Sequence, residues 1–362
     1  MSNSSRMSLA MCKHVTRIRG PKRSISHSTC HKSCIMSPVD PPPPPPLTKA
    51  TQLDGVKKIV MVSNRTRFGL INTDLDQYQI PTTLYLIYVL SLYSAISRNA
   101  LSLQMMEDLI HHITFNQDDP NLRCIVLYGE GKVFSAGHNL KELTHKDGSD
   151  YHHQVFSTCS RLMLGILQCP VPVIAVVQGL AAAAGCQLVA TCDIAIIGDE
   201  ALLCFCHSAN FGIFCSTPGV AVGRAVPRKV AAHMLFTGIP LTAEEAIGAG
   251  LVSKVVPEEN VGLEFESLSG HIFQIHVNPS RVFPTDEEVA KIVQAITCKS
   301  RAIVAMGKKF FYQQLEADIK TAYRLGEEVM VNNIGLADGQ EGIRSFIEKR
   351  KANWSHGFEK AH

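Results

Sequence analysis

Residues 179–193 constrain this chain more than any other stretch. They read Gly179-Leu-Ala-Ala-Ala-Ala-Gly-Cys-Gln-Leu-Val-Ala-Thr-Cys-Asp193. The run before it, Val171-Pro-Val-Ile-Ala-Val-Val177, has the length and branching of a buried strand. Past Gly185 the apolar spacing turns helical, and Asp193-Ile-Ala-Ile-Ile197 reads as another buried strand. A strand enters, a turn of very small residues follows, a short helix starts and a strand leaves. Small side chains let backbone approach a ligand closely, and a helix N-terminus offers unpaired N–H groups to negative charge. The stretch suits either a site built from main chain or the close packing of a helix on a sheet.

A chain of 362 residues, 46% apolar and 19% charged, can bury a sizeable core as one large domain or two small ones. Its net charge of +3 is too small to imply nucleic acid. No apolar run reaches the roughly 18 residues of a membrane span, and Leu84–Ile96 is both short and broken by serines. The twelve cysteines lie mostly in apolar segments, as Cys124, Cys186 and Cys192 do, which suits buried thiols in a reducing compartment. Residues 1–39 hold seven Lys or Arg and no Asp or Glu. This serine-rich leader resembles a mitochondrial transit peptide and predicts a place in the matrix. The linker 40–52 contains the extended spacer Pro41–Pro46, so the folded part begins near Leu53.

Along the folded part, Val56–Ser63 and Cys124–Tyr128 read as strands, and a helix opens after Asn99-Ala-Leu-Ser102. Gly129-Glu-Gly131 invites a dinucleotide reading, but Phe134 takes the third glycine's place and no acidic residue ends a following strand at the usual distance. Phe134-Ser-Ala-Gly-His-Asn-Leu-Lys-Glu-Leu143 is a second small-residue turn, again between strand and helix. A helix follows around Tyr151–Gln168, and Thr242 caps another that runs to Gly250. From Asp286 the pattern is helical to the end. Strands and helices alternate first and helices fill the last third, which predicts an α/β core, 53–260, with a helical C-terminal region, 286–362. Two segments, 65–96 and 261–285, lack a sustained period and read as looped-out inserts or translated introns.

The turns and their spacing resemble the enoyl-CoA hydratase/isomerase (crotonase) family. The matching pieces are Asn99-Ala-Leu-Ser102, Phe134–Leu140, Gly179–Asp193 and Glu341-Gly with Phe346-Ile-Glu-Lys-Arg350. The resemblance implies a spiral of ββα units with a C-terminal trimerisation region and a homotrimer or hexamer. It implies an acyl-CoA thioester as ligand, no further cofactor, and an oxyanion hole of two backbone N–H groups, which fall on His138 and Ala184. Ala136, Asn139, Leu140, Lys141 and Lys349 would then meet the CoA ester, Lys349 across the trimer interface.

Hydratases of the family carry two glutamates, whose positions are here Gln187 and Ser208, and dienoyl isomerases an aspartate, which would fall near Ser216. An amide cannot take a proton at neutral pH, and a serine needs a neighbouring base. Hydration and dienoyl isomerisation are therefore not expected. A reaction needing oxyanion stabilisation and little acid–base help, such as decarboxylation or thioester hydrolysis in fatty-acid metabolism, is. A non-catalytic acyl-CoA-binding or regulatory subunit is the alternative, and an RNA-binding homologue a third, carried by the short Arg344–Lys351 cluster. His207 adjoins the second glutamate position as a candidate base or a loop residue, and Glu142 is expected exposed on a helix. Cys204-x-Cys206, His111-His112 and His152-His153 lack metal-ligand spacing, so no metal is expected.

Overall fold

The computed structural model describes residues 55–64, 67–71, 85–94, 96–205, 210–257 and 287–361. The leader, the linker and the segment 261–285 lie outside them. In chain order the first elements are β1 (Gly55–Asn64), β2 (Arg67–Ile71), β3 (Tyr85–Tyr93), α1 (Leu103–Thr114), β4 (Leu122–Gly129), β5 (Val133–Ser135) and α2 (Gly148–Gln168). They are followed by β6 (Val173–Val177), β7 (Leu180–Ala182), α3 (Ala184–Thr191), β8 (Ile194–Gly198) and β9 (Leu202–Cys204). Then come α4 (Ser216–Ala225), α5 (Arg228–Thr237), β10 (Leu241–Thr242), α6 (Ala243–Gly248) and β11 (Lys254–Val256). The C-terminal helices are α7 (Glu287–Thr297), α8 (Arg301–Leu315), α9 (Ile319–Ile334) and α10 (Ala337–Ile347).

One seven-stranded sheet has the order β11-β8-β6-β4-β3-β1-β2, and a four-stranded sheet has β10-β9-β7-β5. Strands β4, β6 and β8 are parallel neighbours in the first, and β5, β7 and β9 are parallel neighbours in the second. Each turn of the chain thus lays one strand in each sheet and then a helix. This is the ββα spiral of the crotonase fold.

The large sheet is covered on both faces, which is why its inner strands are apolar throughout instead of alternating. Ile125, Leu127, Val173 and Ala175 pack with α1 and α2, while Cys124, Val126, Ile174 and Val176 pack with Val289 and Val293 of α7. The same two-sided burial corrects the reading of 65–96 as a looped-out insert. Within it, β3 is a central strand, parallel to β4 and antiparallel to β1. Leu86, Tyr88, Leu90 and Leu92 enter one core cluster, and Ile87 and Val89 the other. A strand buried on both faces carries no polar alternation, so a search for an amphipathic period passes over it. The rejected Gly-x-Gly motif also has a packing role. A Cβ on Gly129 would lie 2.5 Å from the Phe134 carbonyl oxygen, so the glycine lets β5 fold back against β4.

The C-terminal helices are tied to the core through polar groups. Lys308 of α8 reaches inward and donates from Nζ to the carbonyls of Ile166 (2.9 Å) and Val171 (3.0 Å) and to Asp193 Oδ2 (2.6 Å). Asp193 Oδ2 also accepts from Val173 N, and Oδ1 accepts from Tyr312 Oη at 2.8 Å. Burial, with Asp193 beside it, raises the Tyr312 pKa and keeps that hydroxyl a donor. At the other end of α8, Arg301 donates to the carbonyls of Leu122 and Gln117. A buried ion pair adds little over an apolar pair, but removing one partner strands the other charge. Lys308→Met is therefore expected to cost about 3–5 kcal/mol, read as a lowered urea midpoint. Combining it with Asp193→Asn should cost less than the sum of the two single changes.

Candidate active site

The first small-residue turn is held by a single buried amide. Asn99 donates from Nδ2 to the carbonyls of Glu130 (2.9 Å) and Val133 (2.8 Å), and its Oδ1 accepts from Ser94 N (2.8 Å). Its own carbonyl accepts from Ser135 Oγ at 2.8 Å, and Ser135 Oγ accepts from Gly137 N at 3.3 Å. The chain then runs alongside Leu101 as a parallel bridge, in which Leu101 N donates to Gly137 O and Asn139 N donates to Leu101 O. Successive N–H groups of an extended chain point to opposite sides. The bridge uses the groups on either side of His138, so the His138 N–H faces away from Leu101.

The second turn ends β7 and starts α3. Ala183 sits at φ 49° and ψ −115°, a conformation that L residues rarely adopt. It is held by its N–H on the Cys204 carbonyl (2.8 Å) and by its carbonyl on Gln187 N (3.0 Å). Ala184 is the first residue of α3, so its N–H has no place in the helix's own bonding. Among the described residues neither the His138 nor the Ala184 N–H donates a hydrogen bond.

The two turns meet at Gly137. A Cβ built there would fall 2.8 Å from the Ala182 oxygen and 3.3 Å from the Ala184 nitrogen, and φ is +88°. A Cβ on Gly185 would fall 2.6 Å from the Ser135 oxygen. Any side chain at either glycine would push the turns apart. The main-chain donors at His138 and Ala184 are thus brought side by side by the absence of side chains between them. A cleft of about 380 Å³ opens beside them, lined by Arg98, Ala136, His138, Asn139, Leu140 and Lys141, with Ala182 and Phe211 among its other walls.

Ala136, Asn139, Leu140 and Lys141 therefore line one cleft with His138, and Ala184 lies against the same turn. Gln187 is buried one turn into α3, where its side-chain oxygen accepts from Cys159 Sγ at 3.8 Å. Lys349 lies past α10 and is not among the lining residues. Ser208, His207 and Cys206 lie outside the described residues. Glu142 has a structural place that the expectation of an exposed helical residue misses. It is half-buried in a 3-10 turn, where it accepts from Leu103 N (2.9 Å) at the start of α1 and from Asn139 Nδ2 (3.1 Å). Sequence reasoning also missed Arg98 on the cleft wall and Asn99 as the turn's anchor. The signal for Asn99 lay in Asn99-Ala-Leu-Ser102, which opens a helix and is one of the pieces matching the family, and Arg98 directly precedes it.

The buried titratable groups beside the turns are held neutral, while Arg98 and Lys141 stand on the cleft wall. Burial pushes the His138 imidazole down to about 4, against a smaller upward pull from the Leu101 backbone. Burial pushes the Cys159 thiol up to about 12 and raises Cys186 further. At neutral pH the ring is uncharged and the thiols stay protonated. What the arrangement can do is bind an oxyanion through two preorganised N–H groups, one of them on a helix N-terminus.

Comparison with known proteins shows the family. Residues 87–283 match the family model described as enoyl-CoA hydratase/isomerase. The protein named enoyl-CoA hydratase domain-containing protein 3, mitochondrial, is 52% identical in Xenopus laevis over 259 residues, covering 72% of this chain and 80% of that one. Its Homo sapiens counterpart is 44% identical over 309 residues, covering 85% and 84%. The crystal structure of human enoyl coenzyme A hydratase domain-containing protein 3 superimposes with a TM-score of 0.66 at 47% identity, over 74% of this chain and 96% of that one. An enoyl-CoA hydratase structure from Mycobacterium smegmatis gives 0.66 at 38% identity, covering 74% and 95%. The match spans both small-residue turns, and the chain belongs to the enoyl-CoA hydratase/isomerase family.

Proposed function

We propose that this protein binds an acyl-CoA thioester and polarises its carbonyl through the main-chain N–H groups of His138 and Ala184. The observation that carries the reading is that the turns bearing these two N–H groups meet at Gly137, that neither N–H donates a hydrogen bond among the described residues, and that His138 lines a cleft. Negative charge that develops on the thioester oxygen, in an enolate or a tetrahedral adduct, would be met without any reacting side chain. Such a donor is typically worth about 3–4 kcal/mol of transition-state stabilisation. Arg98 and Lys141 on the cleft wall would meet the phosphates of CoA, and Lys349 would do so from a neighbouring subunit. We place the protein in the mitochondrial matrix, in fatty-acid metabolism, on the acid-free leader and on the naming of its relatives.

Self-assembly is part of the proposal. Helices α9 and α10 leave Ile319, Tyr323, Met330, Val331, Phe346 and Ile347 exposed, and exposed apolar side chains gathered on neighbouring helices suit an interaction surface. A homotrimer, or a hexamer of two trimers, would bury it.

The chemistry after binding is limited by Gln187, which stands where family hydratases have a glutamate. A carboxamide neither takes nor returns a proton at neutral pH. This residue favours a second reading, a non-catalytic acyl-CoA-binding subunit. Turnover of crotonyl-, malonyl- and hydroxyacyl-CoA, measured beside binding of the same esters, separates the two. Crotonyl-CoA hydration is expected to be absent. Turnover of another ester supports an enzyme, whereas binding of esters with no turnover supports the subunit.

Two substitutions test the geometry. Gly137→Ala puts a methyl group into the contact between the turns and is expected to weaken acyl-CoA binding about a hundredfold, in a chain whose circular dichroism is unchanged. Phe346→Glu is expected to shift the assembled protein to monomer in size-exclusion chromatography with light scattering.

A further inference from the structure

The cleft beside the two turns holds few groups that could attack a thioester. Of its lining side chains, the Arg98 guanidinium stays protonated and is no nucleophile. The Asn139 amide is bonded to Glu142, the Ser97 hydroxyl is held against Ser94 Oγ, and both ring nitrogens of His138 are sealed from solvent. Lys141 is different. It is exposed on the cleft wall, and among the described residues its amine makes no ion pair and donates no hydrogen bond. No Asp or Glu lines the cleft to draw that amine aside. Its distance from the first turn is limited by the chain. Three residue steps from His138 span at most about 10 Å between Cα atoms, and the 3-10 turn Leu140–Glu142 shortens that span.

We propose that Lys141 is a self-acylation site, which takes the acyl group from the thioester bound in its own cleft. The inference rests on the acyl-CoA reading given above. The unprotonated Nζ adds to the thioester carbonyl carbon, and the charge that forms on the oxygen falls to the main-chain N–H groups of His138 and Ala184. The C–S bond then breaks, and the CoA thiolate takes up the proton that the nitrogen loses. One amine and one thioester give one amide and one free thiol, with no other reactant. The flexible four-carbon stem of lysine meets a phosphate in one rotamer and reaches toward the thioester in another. Holding amine and ester in one cleft raises the effective concentration of each to the other, so Lys141 outruns lysines that meet the ester only from solution. The amide is uncharged, so each event removes one of the two cations from the cleft wall.

The test incubates the full-length protein with butyryl-CoA at about pH 8.5, where lysines supply more unprotonated amine, and follows acylation residue by residue with peptide mass spectrometry. Lys229 and Lys299, both exposed and neither lining the cleft, serve as internal references. Lys141 is expected to gain the butyryl group about tenfold faster than either, or more. Its rate should level off as the ester fills the cleft, and should fall to that of the references when excess CoA competes. The reference rates should rise in proportion to the ester and ignore CoA. Calorimetry with butyryl-CoA on the same protein keeps the two readings apart. If the ester binds and Lys141 reacts no faster than the references, or if its excess rate survives added CoA, self-acylation is overturned and the acyl-CoA reading stands. If the ester does not bind, both fall.

Discussion

The close contact between two turns is the constraint on which the rest of this structure depends. Ser135–His138 and Ala182–Gly185 approach until a single Cβ on Gly137 or Gly185 would overlap main-chain atoms of the other turn. The approach is held from several directions. Asn99 fixes the first turn with three side-chain hydrogen bonds, and the Cys204 carbonyl holds the second at Ala183. Ala183 bears the strain. A non-glycine residue in a sparsely populated region costs on the order of 1–3 kcal/mol, and such residues gather where structure is arranged for function. Its strained geometry turns the chain sharply enough for Ala184 to start a helix with its N–H directed out of the turn.

The same stretch of chain anchors the C-terminal helices. Asp193 leads into β8 from α3, and its carboxylate gathers Lys308, Tyr312 and the Val173 N–H. Strand β6, which precedes β7 and the second turn, is thus gripped at its start by the group that secures α8. Helices α9 and α10, which carry the exposed apolar face, follow α8 in the chain. In this way the donor pair and the proposed assembly surface are supported by one framework, although nothing joins them in sequence.

Much of this was legible beforehand. The alternation of strands and helices, the two turns between strand and helix, and the helical last third all follow from local pattern and side-chain size. Resemblance suggested His138 and Ala184 as donors, and the packing of the turns at Gly137 brings the two residues near each other. The inner strand β3 was not legible, because burial on both faces removes the polar residues that mark a strand's period. Glu142 was misread as an exposed helical residue, because its two bonds run to Leu103 N, thirty-nine positions away, and to Asn139 in the turn.

By itself, the amino-acid sequence determined the local vocabulary of this protein: which runs can be strands, and where side chains are too small to keep backbones apart. These are properties of single residues and their near neighbours. Only the tertiary structure decided that Leu101 occupies the hydrogen-bonding groups on either side of His138 and so turns its N–H away, and that Asn99 is the buried anchor. Each depends on which distant segment is brought to a given atom. A buried polar group acquires its meaning from the partners within about 3 Å, and no spacing along the chain records them.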